Sequence, residues 1–179
     1  MRVLVIQVRD NLPIHIDYHP YHQSLNEKIL KESIEYDWQD TVELKAGGLS
    51  NVKARQTVEP KLNSKSLDVI YDWILSILRG VPKYGGWSYK VYSSWMARYN
   101  KGDYTKEHDH IPMFVAFVYF IKCPRGSSPL VFSTSGKRIK AEEGKVIIFP
   151  GHMQHEVPKN RCDDRIVLSG NIIPIFDED

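Results

Sequence analysis

Two histidines stand one residue apart in KEHDHIP, residues 106–112, just ahead of the longest apolar run of the chain. On a strand, side chains at i and i+2 share a face about 6.6 Å apart, so His108 and His110 can converge on one metal ion. A third histidine, His155, ends the strand-and-turn phrase GKVIIFPGHMQH, and Arg165 opens the apolar stretch RIVLSGN further on. If the polar stretch 158–164 is a hairpin connection, Arg165 lies on the strand antiparallel to that of His155, about 5 Å away across the ladder. A guanidinium there can reach past the metal and fork onto a carboxylate. The set is a chelating cluster with an anion-binding arm.

The elements that must hold these groups divide the chain in two. SLNEKILKESIEY begins with Ser24 and carries Glu27 three residues later, a capping box, and Leu25, Ile29, Leu30 and Ile34 form an apolar stripe at helical spacing. A helix is expected over about 24–36. SKSLDVIYDWILSILRGVP predicts a second one: Leu67, Ile70, Tyr71, Ile74, Leu75 and Leu78 recur at three and four, Ser64 or Ser66 caps the start, and Gly80 with Pro82 ends it. From Trp87 onward strands take over. GGWSYKVYSSWMARYN is aromatic and β-branched, PMFVAFVYFI suits a strand buried on both faces, and PLVFSTS, RIKAEEGKVIIFP and RIVLSGNIIPIF continue the series. Two singly striped helices cannot close a core on each other, so they should cover one face of the sheet that follows. The expected fold is mainly β (α+β), a jelly roll with two helices from the first half packed on one sheet.

With 179 residues the chain fits one domain, 1–179, long enough to bury about 70% of its unfolded surface. Helical support is expected over about 20–82 and the jelly-roll core over about 87–176. Lys and Arg number 24 against 22 Asp and Glu, and a net +2 limits nucleic acid to a local contact. RVLVIQV runs straight into Arg9 and Asp10, too short for a signal core or a membrane span, which makes a cytoplasmic setting the expectation. Cys123 and Cys162 show no CxxC spacing, against a disulfide scaffold or zinc ribbon; Cys123 reads as apolar filler and Cys162 as a loop thiol. His15, His19 and His22, in a Pro-containing lead-in, read as surface or capping groups, and His152 as an exposed or rim residue.

WMARYNKGDYTKEHDH, VYFIKCP, GKVIIFPGHMQHEV and RIVLSGNI together resemble the Fe(II)- and 2-oxoglutarate-dependent oxygenases, and within them a group of small members carrying His-x-His where His-x-Asp is usual. The resemblance covers roughly residues 90–176. It implies a double-stranded β-helix (cupin-like jelly roll), Fe(II) held by His108, His110 and His155, and Arg165 on the far carboxylate of 2-oxoglutarate. It also implies use of O2, with substrate oxidation coupled to release of succinate and CO2. Tyr119 is then a candidate second donor to 2-oxoglutarate. Ser169 and Asn171 share the strand parity of Arg165 and can assist the cosubstrate from the barrel interior.

The departure at His110 leaves the second ligand open between His110 and a carboxylate of Asp109 or Asp103. Alternation turns Asp109 to the opposite face from His108 and so favours His110; Asp103, after Gly102, reads as a turn cap. The substrate implied is a peptide or protein side chain, or else a small molecule. AGGLSNVKARQTVEPKL, residues 46–62, is a candidate lid or a plain surface loop. Two rivals predict different behaviour: a cupin-type three-histidine metalloenzyme binds metal without producing succinate, and a non-catalytic jelly-roll binding module turns nothing over.

Overall fold

The second helix forms where its stripe predicts. In the computed structural model, which describes residues 12–41, 50–82, 84 and 86–176, it spans Lys65–Gly80 (α2) and buries Leu67, Ile70, Tyr71, Ile74 and Leu78. The Ser64 hydroxyl caps it by accepting from Leu67 N at 3.2 Å. The first helix, His22–Glu32 (α1), departs from expectation. Its N-cap is Tyr21, with no side-chain cap, and the Ser24 hydroxyl donates back to Tyr21 O. After Glu32 the chain tightens into a 3-10 turn, Ser33–Glu35, so Ile34 rotates out of the stripe and is 76% exposed.

Among the described residues there are twelve strands: β1 His15–Tyr18, β2 Trp38–Asp40, β3 Val52–Lys53, β4 Arg55–Thr57, β5 Ser88–Tyr99, β6 Tyr104–His108, β7 Val115–Lys122, β8 Leu130–Phe132, β9 Lys137–Ile139, β10 Lys145–Pro150, β11 His155–Val157 and β12 Arg165–Ile175. They make a seven-stranded sheet, β1-β10-β7-β12-β5-β4-β2, and a five-stranded sheet, β3-β6-β11-β8-β9. From β5 to β12 the chain passes back and forth between the two sheets, keeping to one only for the β8–β9 step, and so winds into a double-stranded β-helix, a jelly roll. The segment expected as a lid or loop is not loose over its described part, 50–62: it supplies β3 to one sheet and β4 to the other. Residues 46–49, and RVLVIQV at the start of the chain, lie outside the described residues.

Strand parity sorts the core into two layers. On the outer face of the larger sheet, Tyr119, Ile121, Val146, Ile148, Ile166 and Leu168 pack against Leu25, Ile29, Leu67, Ile70 and Ile74 of the helices. Between the sheets lie Ala116, Val118, Phe120, Ile147, Phe149, Phe132, Val157 and Val167. The apolar run of β7 feeds both layers, and its residues are buried from Val115 to Ile121. Among the described residues no helix is long and apolar enough to cross a membrane.

Candidate metal centre

His108 ends β6 and His155 opens β11, and the two are direct partners in the antiparallel register. Pairing across the ladder brings their ring centroids to 4.3 Å. His110 arrives differently from the expected strand alternation. The strand stops at His108, and His110 sits in the following turn, its N–H donating to Gly151 O at 2.7 Å and its carbonyl accepting from Met113 N at 2.7 Å. Gly151 must be glycine for this approach: a Cβ there would stand 2.1 Å from Met113 O. One imidazole nitrogen from each of the three histidines lies within 4.8 Å of the others.

The two strand histidines are oriented by the backbone. His108 Nδ1 lies 2.8 Å from Lys106 O, and His155 Nδ1 lies 2.9 Å from Met153 O. A carbonyl can only accept, so both Nδ1 atoms carry the proton and both Nε2 lone pairs face inward, the arrangement metal-binding imidazoles need. His110 Nε2 stands 3.2 Å from His155 Nε2. Two nitrogens about 2.1 Å from one ion at right-angled to tetrahedral spacing are separated by about 3.0–3.4 Å, so the pair fits a shared ion. Burial pushes all three pKa values down; with the added repulsion of His108, His110 falls to about 4 and His155 to about 3. These rings are neutral near pH 7 and free to donate lone pairs.

The carboxylates that competed for the second position are engaged elsewhere. Asp109 accepts from Ile111 N and from Gln154 Nε2 at 2.6 Å, and Asp103 caps its turn by accepting from Asn100 N at 2.7 Å.

Arg165 is reached across the sandwich, which corrects the hairpin expectation. It begins β12 in the larger sheet, while His155 is in the smaller one, so the two face each other between sheets rather than across a ladder. Its register partner is Tyr99, and the guanidinium carbon lies 4.6 Å from the Tyr99 ring centre and 5.5 Å from that of Phe120. The side chain is 0% exposed, and among the described residues no group meets Nε, Nη1 or Nη2 in good hydrogen-bonding geometry, although the Tyr99 hydroxyl lies close enough to favour the charge. The acids next to it in sequence point away: Asp163 accepts from Lys101 N, and Asp164 pairs with Arg98 and Lys122. A pocket joins this guanidinium to the three histidines, with Trp95, Thr105, Val118 and Ser169 also in its lining.

Ser169 thus stands where strand parity puts it. Asn171 is on the same face, its Nδ2 donating to Ser93 Oγ at 2.9 Å. Tyr119 is not in the pocket. It has the parity of Leu168 and Val146, its register partners, so it faces the helices, and its hydroxyl donates to Asn26 Oδ1 at 2.7 Å. Tyr99, Thr105 and Trp95, beside the apolar Val52, Val118, Leu130, Val157 and Val167, are pocket residues that sequence reasoning missed. Tyr99 and Trp95 share one parity on β5, but only the pairing of β5 with β12 sets them beside Arg165 and Ser169.

His152 is exposed as expected. His19 is not a surface group: it is 7% exposed and meets the Trp73 ring edge-on at 5.0 Å. Cys123 and Cys162 are free and half-buried, and burial pushes the Cys123 thiol up to about 12, an inert filler.

No family model matches the sequence, and no curated protein does. Solved structures match at low identity. A viral collagen prolyl hydroxylase from Paramecium Bursaria Chlorella virus-1, in its 2-oxoglutarate complex, aligns with TM-score 0.68 and 16% identity over 89% of this chain and 94% of its own. A Pseudomonas putida prolyl-4-hydroxylase gives TM-score 0.65 and 17% identity over 92% and 94%. HygX from Streptomyces hygroscopicus, with nickel, 2-oxoglutarate and hygromycin B bound, gives TM-score 0.66 and 12% identity over 92% and 84%. Twelve strands wound around three convergent imidazoles and a buried guanidinium therefore form the jelly-roll fold that 2-oxoglutarate- and Fe(II)-dependent oxygenases share.

Proposed function

We propose that this protein is a non-haem Fe(II)- and 2-oxoglutarate-dependent dioxygenase that hydroxylates a protein side chain or a small molecule. The observation that carries the reading is Arg165. An isolated buried cation costs several kcal/mol, and the arrangement makes sense when an anion completes it. A dicarboxylate spanning from the histidine cluster to Arg165 is such an anion. His108, His110 and His155 would hold the iron through Nε2, and Arg165 would take the far carboxylate with both prongs of its fork. Ser169 lines the same pocket. Iron and 2-oxoglutarate, when bound, supply the activation of dioxygen and the oxidative decarboxylation that yields succinate and CO2.

The residues of the chain have the remaining tasks. The backbone carbonyls of Lys106 and Met153 keep two imidazole lone pairs aimed inward. Val118, Leu130, Val157 and Val167 make the pocket wall apolar, which keeps water from competing at the reactive centre. Three neutral imidazoles leave a bound Fe(II) near +2, where two histidines and a carboxylate leave about +1. That extra charge favours an anionic cosubstrate. A cupin-type three-histidine enzyme without 2-oxoglutarate would leave Arg165 unexplained. The similar structures include two prolyl hydroxylases and a complex with hygromycin B, which supports both substrate classes.

Anaerobic addition of Fe(II) and 2-oxoglutarate should produce a weak visible charge-transfer band. Arg165→Ala should abolish the band while metal still binds, and His155→Ala should abolish metal binding. A band that survives in both variants would refute the assignment.

A further inference from the structure

We infer that a second cavity beside His108 and His110 receives one uncharged side chain of a peptide substrate, with Gln56 as the specificity-determining residue that donates to the adjoining backbone carbonyl. The inference rests on the proposed function and names the class of its substrate. Two cavities meet at the metal position: Val52, Trp95, His108 and His110 line both. One contains Arg165 and Ser169. The other, of about 200 Å³, contains Ser50, Asn51 and Gln56 instead. A dicarboxylate held by Arg165 would occupy the first, which leaves the second as the approach for a substrate.

Size and lining select the ligand. Pockets that engulf a drug-sized molecule run to roughly 300–1,000 Å³, so this one takes a side chain and leaves the rest of the substrate outside, as a chain crossing the mouth does. No Asp, Glu, Lys or Arg side chain lines it, and a cationic metabolite would face the divalent metal without a counter-charge. Its polar groups are two carboxamides, a hydroxyl and an indole N–H. Gln56 lies opposite Ala97 of β5, a position in the core between the sheets with the parity of Trp95. Gln56 Oε1 accepts from Ser50 Oγ at 3.1 Å, and that hydroxyl accepts from Val52 N at 3.3 Å. The amide is thereby held with Nε2 free: among the described residues nothing pairs with it, with the Asn51 side chain or with Trp95 Nε1. A peptide unit carries one N–H and one C=O, which such groups match. Trp95 is stacked on His110, 6.0 Å between ring centres, so a residue that meets the indole is beside the metal position.

The first test needs neither iron nor turnover. Saturation-transfer NMR of the metal-free protein with a mixture of acetylated, amidated tripeptides of uncharged residues should show contact centred on one side chain, and glucosamine and spermidine should show none. Added Co(II) should broaden the resonances of that side chain first. For the tightest tripeptide, Kd should rise about 3- to 10-fold in Gln56→Leu, the loss of one hydrogen bond, and at least as much in Gln56→Glu, which keeps an acceptor oxygen and loses the N–H donor; thermal melting checks that both variants fold. Absence of tripeptide contact, preference for either cationic molecule, or a wild-type Kd in both variants overturns the inference. Peptide binding that depends on Gln56 but yields no succinate from 2-oxoglutarate and Fe(II) would count against the proposed function and leave the peptide site standing.

Discussion

Arg165 sets two large terms against each other. Stripping a guanidinium of water costs several kcal/mol, while cation–π contact with Tyr99 and Phe120 returns about 0.5–2 kcal/mol and the Tyr99 hydroxyl offsets a further part. The first wins, so the side chain destabilises the metal-free protein. Arg165→Met, which keeps the length and removes the charge, should raise the stability of that form by roughly 1–4 kcal/mol in chemical denaturation. The same variant should lose the gain in Tm that 2-oxoglutarate and metal confer on the wild type. A variant less stable than wild type would mean that the guanidinium has a partner. At this scale the sequence was informative about residue type: His108, His155 and Arg165 follow from their order and their apolar flanks. Tyr119 misled because an aromatic in a run buried on both faces shows no preferred side until its neighbours are known.

Elements carry the precision of the site. Gly151 lets the turn after β10 touch the segment that bears His110, through backbone hydrogen bonds from His110 N to Gly151 O and from Gly151 N to Phe114 O. Gly151→Ala should therefore cost about 1–3 kcal/mol through overpacking and weaken Co(II) binding, with the His155–Met153 hydrogen bond intact; titration followed by visible absorption checks this. A variant with wild-type affinity would show that His110 is placed by something else. In the helical layer, Ser64 caps α2 and donates to Glu32 of α1 at 2.5 Å, and Ser66 donates to the same carboxylate at 2.8 Å. Ser64→Ala should cost about 1 kcal/mol or more in stability and leave metal affinity unchanged. The periodicity of α2 was legible because sixteen residues of stripe outweigh any local choice. The start of α1 was not, since Ser24 satisfied a motif whose geometry the preceding chain had already used at Tyr21.

Across the whole molecule, Asp164 ties three strands together. It stands in the left-handed region at φ 63, just before β12, and pairs with Arg98 of β5 and Lys122 of β7. Burial alone would raise its pKa, but the Lys122 and Arg98 cations outweigh burial and hold it below the usual carboxylate value. A carboxylate with a depressed folded pKa contributes stability above its unfolded pKa of about 3.9, and the contribution disappears as pH falls through the folded value. Asp164→Asn, whose residue also tolerates the left-handed region, should cost roughly 1 kcal/mol near pH 7. The wild-type and variant stability curves should converge as pH drops below 4; a constant gap would assign the effect to packing.

What the sequence by itself determined was the inventory and its periods: the helical stripe of α2, the strand series from Trp87, three imidazoles and an arginine in a set order, and with them the jelly roll. These are short-range properties, set by alternation and spacing along the chain. The tertiary structure alone decided which sheet each strand joins. It put His155 and Arg165 in opposite sheets, took His110 off its strand, turned Tyr119 toward the helices and set Tyr99 and Trp95 around the pocket. Register between strands far apart in sequence depends on contacts that no local pattern contains, because pairing satisfies backbone groups equally in many alignments and only the packed core selects one.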